Sequence, residues 1–165
     1  MKISVLYYSK TGRTRTMAEV VAEGARSVPG TEVRLFPVDA IDKEFLEASK
    51  AVFFGTPTYL ASTCWQWKKW FDEPAPCSLG GKLGAAFATA NFAQGGADIA
   101  LQTLLTHMMV KGMLVYSGGG ACGHPYIHLG AVALQENFVA SKPLFRIFGE
   151  RVAGKARELF PESAE

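Results

Sequence analysis

Short apolar runs that alternate with stretches of helical spacing constrain this chain more than any other feature of it. Residues 3–8 form the first run. From Thr14 onward Met17, Val20, Val21, Gly24 and Ala25 recur at intervals of three and four, and Pro29-Gly30 closes that helix. Residues 31–38 alternate, with Val33 and Leu35 on one face and Pro37 marking a strand near a sheet edge. Residues 40–49 read as a short helix with Ile41, Phe45 and Leu46 inward. Residues 51–55 are unbroken apolar chain, the pattern of a strand covered on both faces of a parallel sheet. A helix over 62–72, a Pro/Gly-containing connection over 74–81 and a strand over 82–89 follow. A further helix begins at Ala97-Asp98, and residues 113–117 form the fifth strand. Residues 118–130 are Gly-rich and irregular, and the last helix begins after Pro143 and runs to about Phe160. This order predicts an α/β fold: a doubly wound, five-stranded parallel sheet with helices on both faces. With no repeat and no linker, a single domain over 1–165 is expected.

Composition narrows the function. Hydrophobic residues make up 48% and charged residues 19%, enough for a buried core and too apolar for disorder. The net charge of +2 is carried by scattered Lys and Arg, which argues against nucleic acid as a partner. The opening Met1-Lys2-Ile3 runs straight into the first strand, so no signal peptide is expected. No segment approaches the ~20 apolar residues that span a bilayer. Cys64, Cys77 and Cys122 lack CxxC spacing, which predicts reduced thiols and a cytoplasmic location. They do not combine with His107, His124 and His128 in a zinc-ligand spacing, so no metal site is expected.

In such a sheet, ligands sit beyond the carboxyl ends of the strands, where strand order reverses. Three loops leave the first, third and fourth strands there. The first carries Ser9, Lys10, Thr11, Gly12, Arg13 and Thr14 ahead of a helix N-terminus. Backbone N–H groups, the helix dipole and three hydroxyls make an anion cradle. A helix cap would need one such hydroxyl, not three. The second loop is Gly55-Thr56-Pro57-Thr58-Tyr59: Pro57 stiffens the turn, and Tyr59 is either a face for a flat heteroaromatic ring or a surface tyrosine. The third is Thr89-Ala90-Asn91-Phe92-Ala93-Gln94-Gly95-Gly96, whose small residues admit a ligand close to backbone and whose Asn91 and Gln94 can bond polar ring edges. Alone, it would read as a flexible connection. Gly118, Gly120 and Gly123 match GxGxxG, but His124-Pro125 follows instead of a helix, so the match is chance.

Together these loops resemble the flavodoxin-like superfamily, and are most similar to WrbA-type quinone reductases and related NAD(P)H-dependent FMN reductases. The resemblance implies strand order 2-1-3-4-5 and flavin mononucleotide (FMN) as cofactor. It assigns the phosphate to Ser9, Thr11, Gly12, Arg13 and Thr14. It puts Thr58, Tyr59 and Leu60 on the ring or ribityl chain, and Thr89, Asn91, Gln94, Gly95 and Gly96 on the opposite side, with Lys10, Pro57 and Ala90 in the same loops. The third loop departs from the family's Thr-Gly-x-Gly run, and the chain is shorter than a WrbA-type reductase. The leading expectation is an oxidoreductase that passes electrons from NAD(P)H through FMN to a quinone or similar acceptor. The alternatives are a flavodoxin-type electron carrier, against which the +2 charge is held because such carriers are acidic, and a flavin-binding protein without turnover. A homo-oligomer, with a dimer favoured, is expected from spare aromatics. Trp67, Trp70 and Phe71 share a core face, Trp65 lies off it with at least partial burial expected, and Tyr126, His124 and His128 form a lid or a dimer contact.

Overall fold

The computed structural model describes residues 1–74 and 77–161. Two residues of the expected 74–81 connection, and the last four of the chain, lie outside them. Strand β1 (Lys2–Tyr7) leads to α1 (Arg13–Arg26), then β2 (Glu32–Pro37), α2 (Lys43–Ala48), β3 (Ser49–Pro57), α3 (Trp65–Asp72), β4 (Leu83–Ala90) and α4 (Ala97–Val110). Two short strands, β5 (Leu114–Val115) and β6 (Ala131–Leu134), precede α5 (Lys142–Leu159). All pairings are parallel, in the order β2-β1-β3-β4-β5, as expected. Every residue of β4, and all of β3 but Lys50, is buried. That is why these strands read as continuous apolar runs rather than alternations. Helices α1 and α5 cover one face of the sheet, around Phe53, Phe87, Phe145 and Phe148. Residues of α2, α3 and α4 cover the other, around Phe54 and Trp67.

Four boundaries differ from expectation. The fifth strand is split: β5 pairs only with Leu83 and Gly84, whereas β6 takes up the same side of β4 further along, from Phe87↔Ala131 to Ala90↔Leu134. Gly118, Gly119 and Gly123 hold positive φ between them, and this excursion breaks one strand into two. Helix α2 starts only at Lys43, because the Asp42 carboxylate accepts from Phe45 N (3.0 Å) and caps it there. Helix α3 starts at Trp65 because residues 59–62 are folded into a turn. Helix α5 includes Pro143, which is tolerated in a first turn where its missing N–H has no intrahelical acceptor.

Candidate functional site

The carboxyl ends of β1, β3 and β4 converge on a cavity of about 690 Å³, within the range of small-molecule sites. Lys10, Thr11, Thr58, Tyr59, Leu60, Ala61, Ala90, Asn91, Phe92 and Gly95 line it. A narrower recess of about 90 Å³ beneath it adds Ser9, Arg13, Thr14 and Thr89. Twelve of the sixteen expected residues are therefore brought together. The other four have different places. Gly12 caps α1, Pro57 is buried as the last residue of β3, Gln94 is exposed, and Gly96 packs against the second loop. Ala61 and Phe92 were not singled out, although both sit beside residues that were.

The recess lies at the start of α1. Gly12 adopts φ 91°, a left-handed conformation that favours glycine, and turns the chain into α1. Among the described residues no side chain caps the first turn of α1, and no acidic residue lies in it. Its leading N–H groups therefore have no intrahelical or capping acceptor, and the positive end of the helix dipole faces the recess. Beside it the Ser9 Oγ is buried with no hydrogen-bond partner among the described residues, and so is the Thr58 Oγ1 across the cavity. An orphaned buried hydroxyl costs roughly 1–3 kcal/mol unless something bonds it, so two at one site point to a ligand. Arg13 donates to Asn91 Oδ1 (2.9 Å) and Gln135 Oε1 (3.1 Å), which fixes its guanidinium at the recess. Gln135 follows β6, and no sequence signal placed it there. The Thr14 hydroxyl lies 2.8 Å from Thr89 Oγ1.

The second loop is a tight turn. Tyr59 and Ser62 exchange both backbone hydrogen bonds (2.9 and 3.0 Å), and the two residues between them, Leu60 (φ 48°) and Ala61 (φ 60°), are both left-handed. That is the geometry of a type I′ turn, which glycine or asparagine usually occupies. Strain of this kind is concentrated at functional sites. The turn is tied to β4 by Thr58 N donating to Thr89 O (2.8 Å) and to β3 by the Thr56–Thr63 hydroxyl pair (2.8 Å). Gly96, at φ 89°, backs onto it so closely that a Cβ there would lie 2.5 Å from Ala61 Cα. The turn lifts Leu60 fully into solvent, and Tyr59 and Phe92 are exposed. Partial burial raises the Tyr59 phenol above its ordinary pKa, with Tyr8 and Cys64 adding to the shift. The cavity is thus apolar at its rim and cationic and hydroxyl-rich at its base.

Two expectations about the surroundings change. Trp65 is 66% exposed, not partly buried, because α3 begins at that residue and its core face is carried by Trp67 and Phe71, with Trp70 partly buried against them. None of residues 116–130 lines the cavity, so Tyr126, His124 and His128 form no lid over it. Instead Arg151 of α5 gathers that excursion through the carbonyls of Cys122, His124 and Pro125. His107 donates from Nδ1 to Thr103 O (2.7 Å) and packs on Phe71, a structural role.

A doubly wound parallel sheet whose first helix starts without a side-chain cap beneath a cavity at the carboxyl edge defines an α/β protein with a ligand-sized site there. The chain belongs to the flavodoxin family: that family's model matches residues 5–106. A flavodoxin of Clostridium saccharobutylicum is 52% identical over 97% of this chain and all of its own length. A flavodoxin-class, WrbA-like protein of Agrobacterium tumefaciens shares the structure at a TM-score of 0.79, with 29% identity, covering 96% of this chain and 99% of that one. Fusobacterium nucleatum flavodoxin, solved bound to FMN, matches with a TM-score of 0.71 and 16% identity, over 96% of this chain and 98% of that one; at that identity the likeness speaks for the fold. FMN as the expected cofactor agrees with this family. The expected NAD(P)H-to-quinone oxidoreductase does not: the full-length 52% match to a flavodoxin overturns it. The charge argument failed for a physical reason. A net charge of +2 sums the whole surface, whereas docking is steered by the local field. Among the described residues no helix is long and apolar enough to cross a membrane.

Proposed function

We propose that this protein is a flavodoxin-type electron carrier with FMN as its redox group. The observation that carries the reading is the Ser9 hydroxyl, buried and, among the described residues, unbonded beside the uncapped N-terminus of α1. A phosphate monoester supplies the acceptor oxygens that this hydroxyl and the free N–H groups lack. Thr11 adds a second hydroxyl, Thr14 stands behind with its own, and Lys10 and Arg13 supply positive charge. Asn91 and Gln135 hold the Arg13 guanidinium in place, so little side-chain entropy is lost when an anion arrives.

When bound, FMN supplies one- and two-electron redox chemistry; the protein supplies binding, orientation and polarity. Tyr59 and Phe92 offer aromatic surface on the loops either side of the cavity, and Thr58 Oγ1 and the Asn91 amide offer hydrogen bonds to a polar ring edge. The cavity stays open, with Leu60 exposed at its rim. An exposed apolar edge suits transfer between proteins, which needs close approach and no substrate enclosure. No residue here is assigned as an acid or base.

The test compares two assays on the FMN-loaded protein. Electrons should pass from a separate NADPH-dependent flavoprotein reductase, through this protein, to cytochrome c. The protein alone should oxidise NADH or NADPH with a quinone no faster than free FMN does. Rapid direct NAD(P)H turnover, or no relay between the two proteins, would refute the reading.

A further inference from the structure

A second cavity, of about 330 Å³, lies between the end of β2 and helix α3. Val38, Asp39, Trp65, Gln66, Trp70 and Glu73 line it, with Lys69. It has no part in the cofactor site, yet Trp65 follows closely on the 58–62 turn that walls that site, so the two openings are neighbours along one segment of chain. Its chemistry is one-sided. Trp70 is held edge-on to Phe54, Trp67 and Phe71 (ring centroids 5.9, 5.7 and 5.0 Å), which makes it a rigid aromatic wall. Trp65 presents a second indole, 66% exposed. The Gln66 Oε1 is buried with no hydrogen-bond donor among the described residues. The one cation, Lys69, is engaged by Glu73 at 3.7 Å, which leaves the Asp39 carboxylate without an ion-pair partner among the described residues.

Two indoles, a carboxylate without an ion-pair partner among the described residues and an orphaned amide carbonyl ask for a flat cation rich in N–H donors. A guanidinium meets all three at once: it stacks on an indole, bonds a carboxylate through its fork of donors and has N–H groups to spare for Gln66. An ammonium has fewer donors and no flat face. We infer that this cavity is a socket for an arginine side chain presented by the protein with which the carrier exchanges electrons. The choice of a protein as the source rests on the proposed carrier function. The charge balance of the socket and its position beside the open cofactor cavity support it, because a protein seated over that cavity would cover Trp65 as well.

The test uses the FMN-loaded protein labelled with ¹⁵N, and N-acetylarginine methylamide as probe at constant chloride. The indole N–H signals of Trp65 and Trp70 should shift saturably. That of Trp67, bonded to Gly55 O (2.9 Å), should not. The lysine counterpart should bind more weakly, and Asp39→Asn should weaken the arginine probe roughly three- to fivefold, the scale of one exposed charge or cation–indole contact. In the relay assay Asp39→Asn and Trp65→Ala should slow transfer from the protein reductase by a similar factor. FMN content and reduction by dithionite should be unchanged. Absence of the Trp65 and Trp70 shifts, or relay rates equal to the parent's in both variants, would overturn the inference. Arginine binding by a protein that relays no electrons at all would overturn the carrier reading instead.

Discussion

Thr14 Oγ1 and Thr89 Oγ1 lie 2.8 Å apart, both buried, and join the first turn of α1 to the end of β4. The first and third loops of the site are thereby locked in register by one hydroxyl pair from residues 75 apart in sequence. Removing either hydroxyl strands the other. Thr14→Val and Thr89→Val should therefore each destabilise the FMN-free protein by about 1–3 kcal/mol, the cost of an unsatisfied buried polar group. The double variant, in which neither hydroxyl remains, should lose less than the sum. Urea unfolding of the three variants measures this; strict additivity would mean that the pair is not coupled.

Ser9 behaves in the opposite sense. Its buried hydroxyl has no partner among the described residues, so Ser9→Ala removes a liability from the FMN-free fold. The variant should unfold at the same or higher urea concentration than the parent. Yet FMN binding should weaken by about 1.5–3 kcal/mol, the worth of a hydrogen bond to a charged group, while riboflavin, which lacks the phosphate, should bind as before. Equal losses for FMN and riboflavin would move Ser9 away from the phosphate.

Much of this was legible in the chain. The run at 51–55 identified a strand buried on both faces, residues 82–89 read as a further strand, and the hydroxyl cluster around Gly12 marked the loop that borders the recess. What escaped depended on pairings remote in sequence. Residues 131–134 are too short and too plain to read as a strand, and only their parallel pairing with β4 makes β6 one. Gln135 reaches Arg13 only because β6 exists. Residues 62–64 looked helical by composition, but Leu60 and Ala61 adopt left-handed backbone that no propensity for either residue predicts, and the Tyr59–Ser62 turn delays α3 to Trp65. Gly12 turns the chain into α1 through its left-handed backbone, φ 91°.

The three thiols should separate by reactivity. Burial raises the Cys77 thiol from 9.0 to about 11, and the Glu47 carboxylate adds to the shift by hydrogen bond and charge, against a smaller opposing effect of Lys82. Cys122 is exposed and Cys64 buried. At pH 8 a small aromatic disulfide should modify Cys122 first and Cys77 slowly. Glu47→Gln should speed the reaction of Cys77 without changing Cys122. Because the folded thiol holds its proton more tightly than the unfolded one, its contribution to stability is whole below pH 9.0. It fades as pH rises from there towards 11. Unfolding titrations in that window should lose less stability on alkalinisation in Glu47→Gln than in the parent; an identical pH dependence would separate Glu47 from the thiol.

Arg151 decides the conformation of the chain between β5 and β6. Its guanidinium donates to the carbonyls of Pro125 (2.7 Å), His124 (2.9 Å), Cys122 (3.1 Å) and Gly123 (3.4 Å), four acceptors from a segment with few bonds of its own. Ser117 contributes another tie, its hydroxyl donating to His128 O at 2.7 Å. Removing the guanidinium leaves those carbonyls to water and frees a Gly-rich stretch whose backbone entropy favours opening. Arg151→Ala should therefore expose the bond after Tyr126 to chymotrypsin, with cleavage appearing under native conditions where the parent resists. Arg151→Lys, with a single compact donor in place of the fork, should fall between the two. Since no residue of 116–130 lines the cofactor cavity, FMN affinity should stay within about twofold of the parent, less than 0.5 kcal/mol. A large loss of FMN in Arg151→Ala would show that the excursion supports the site after all, through β6 and the Gln135–Arg13 hydrogen bond.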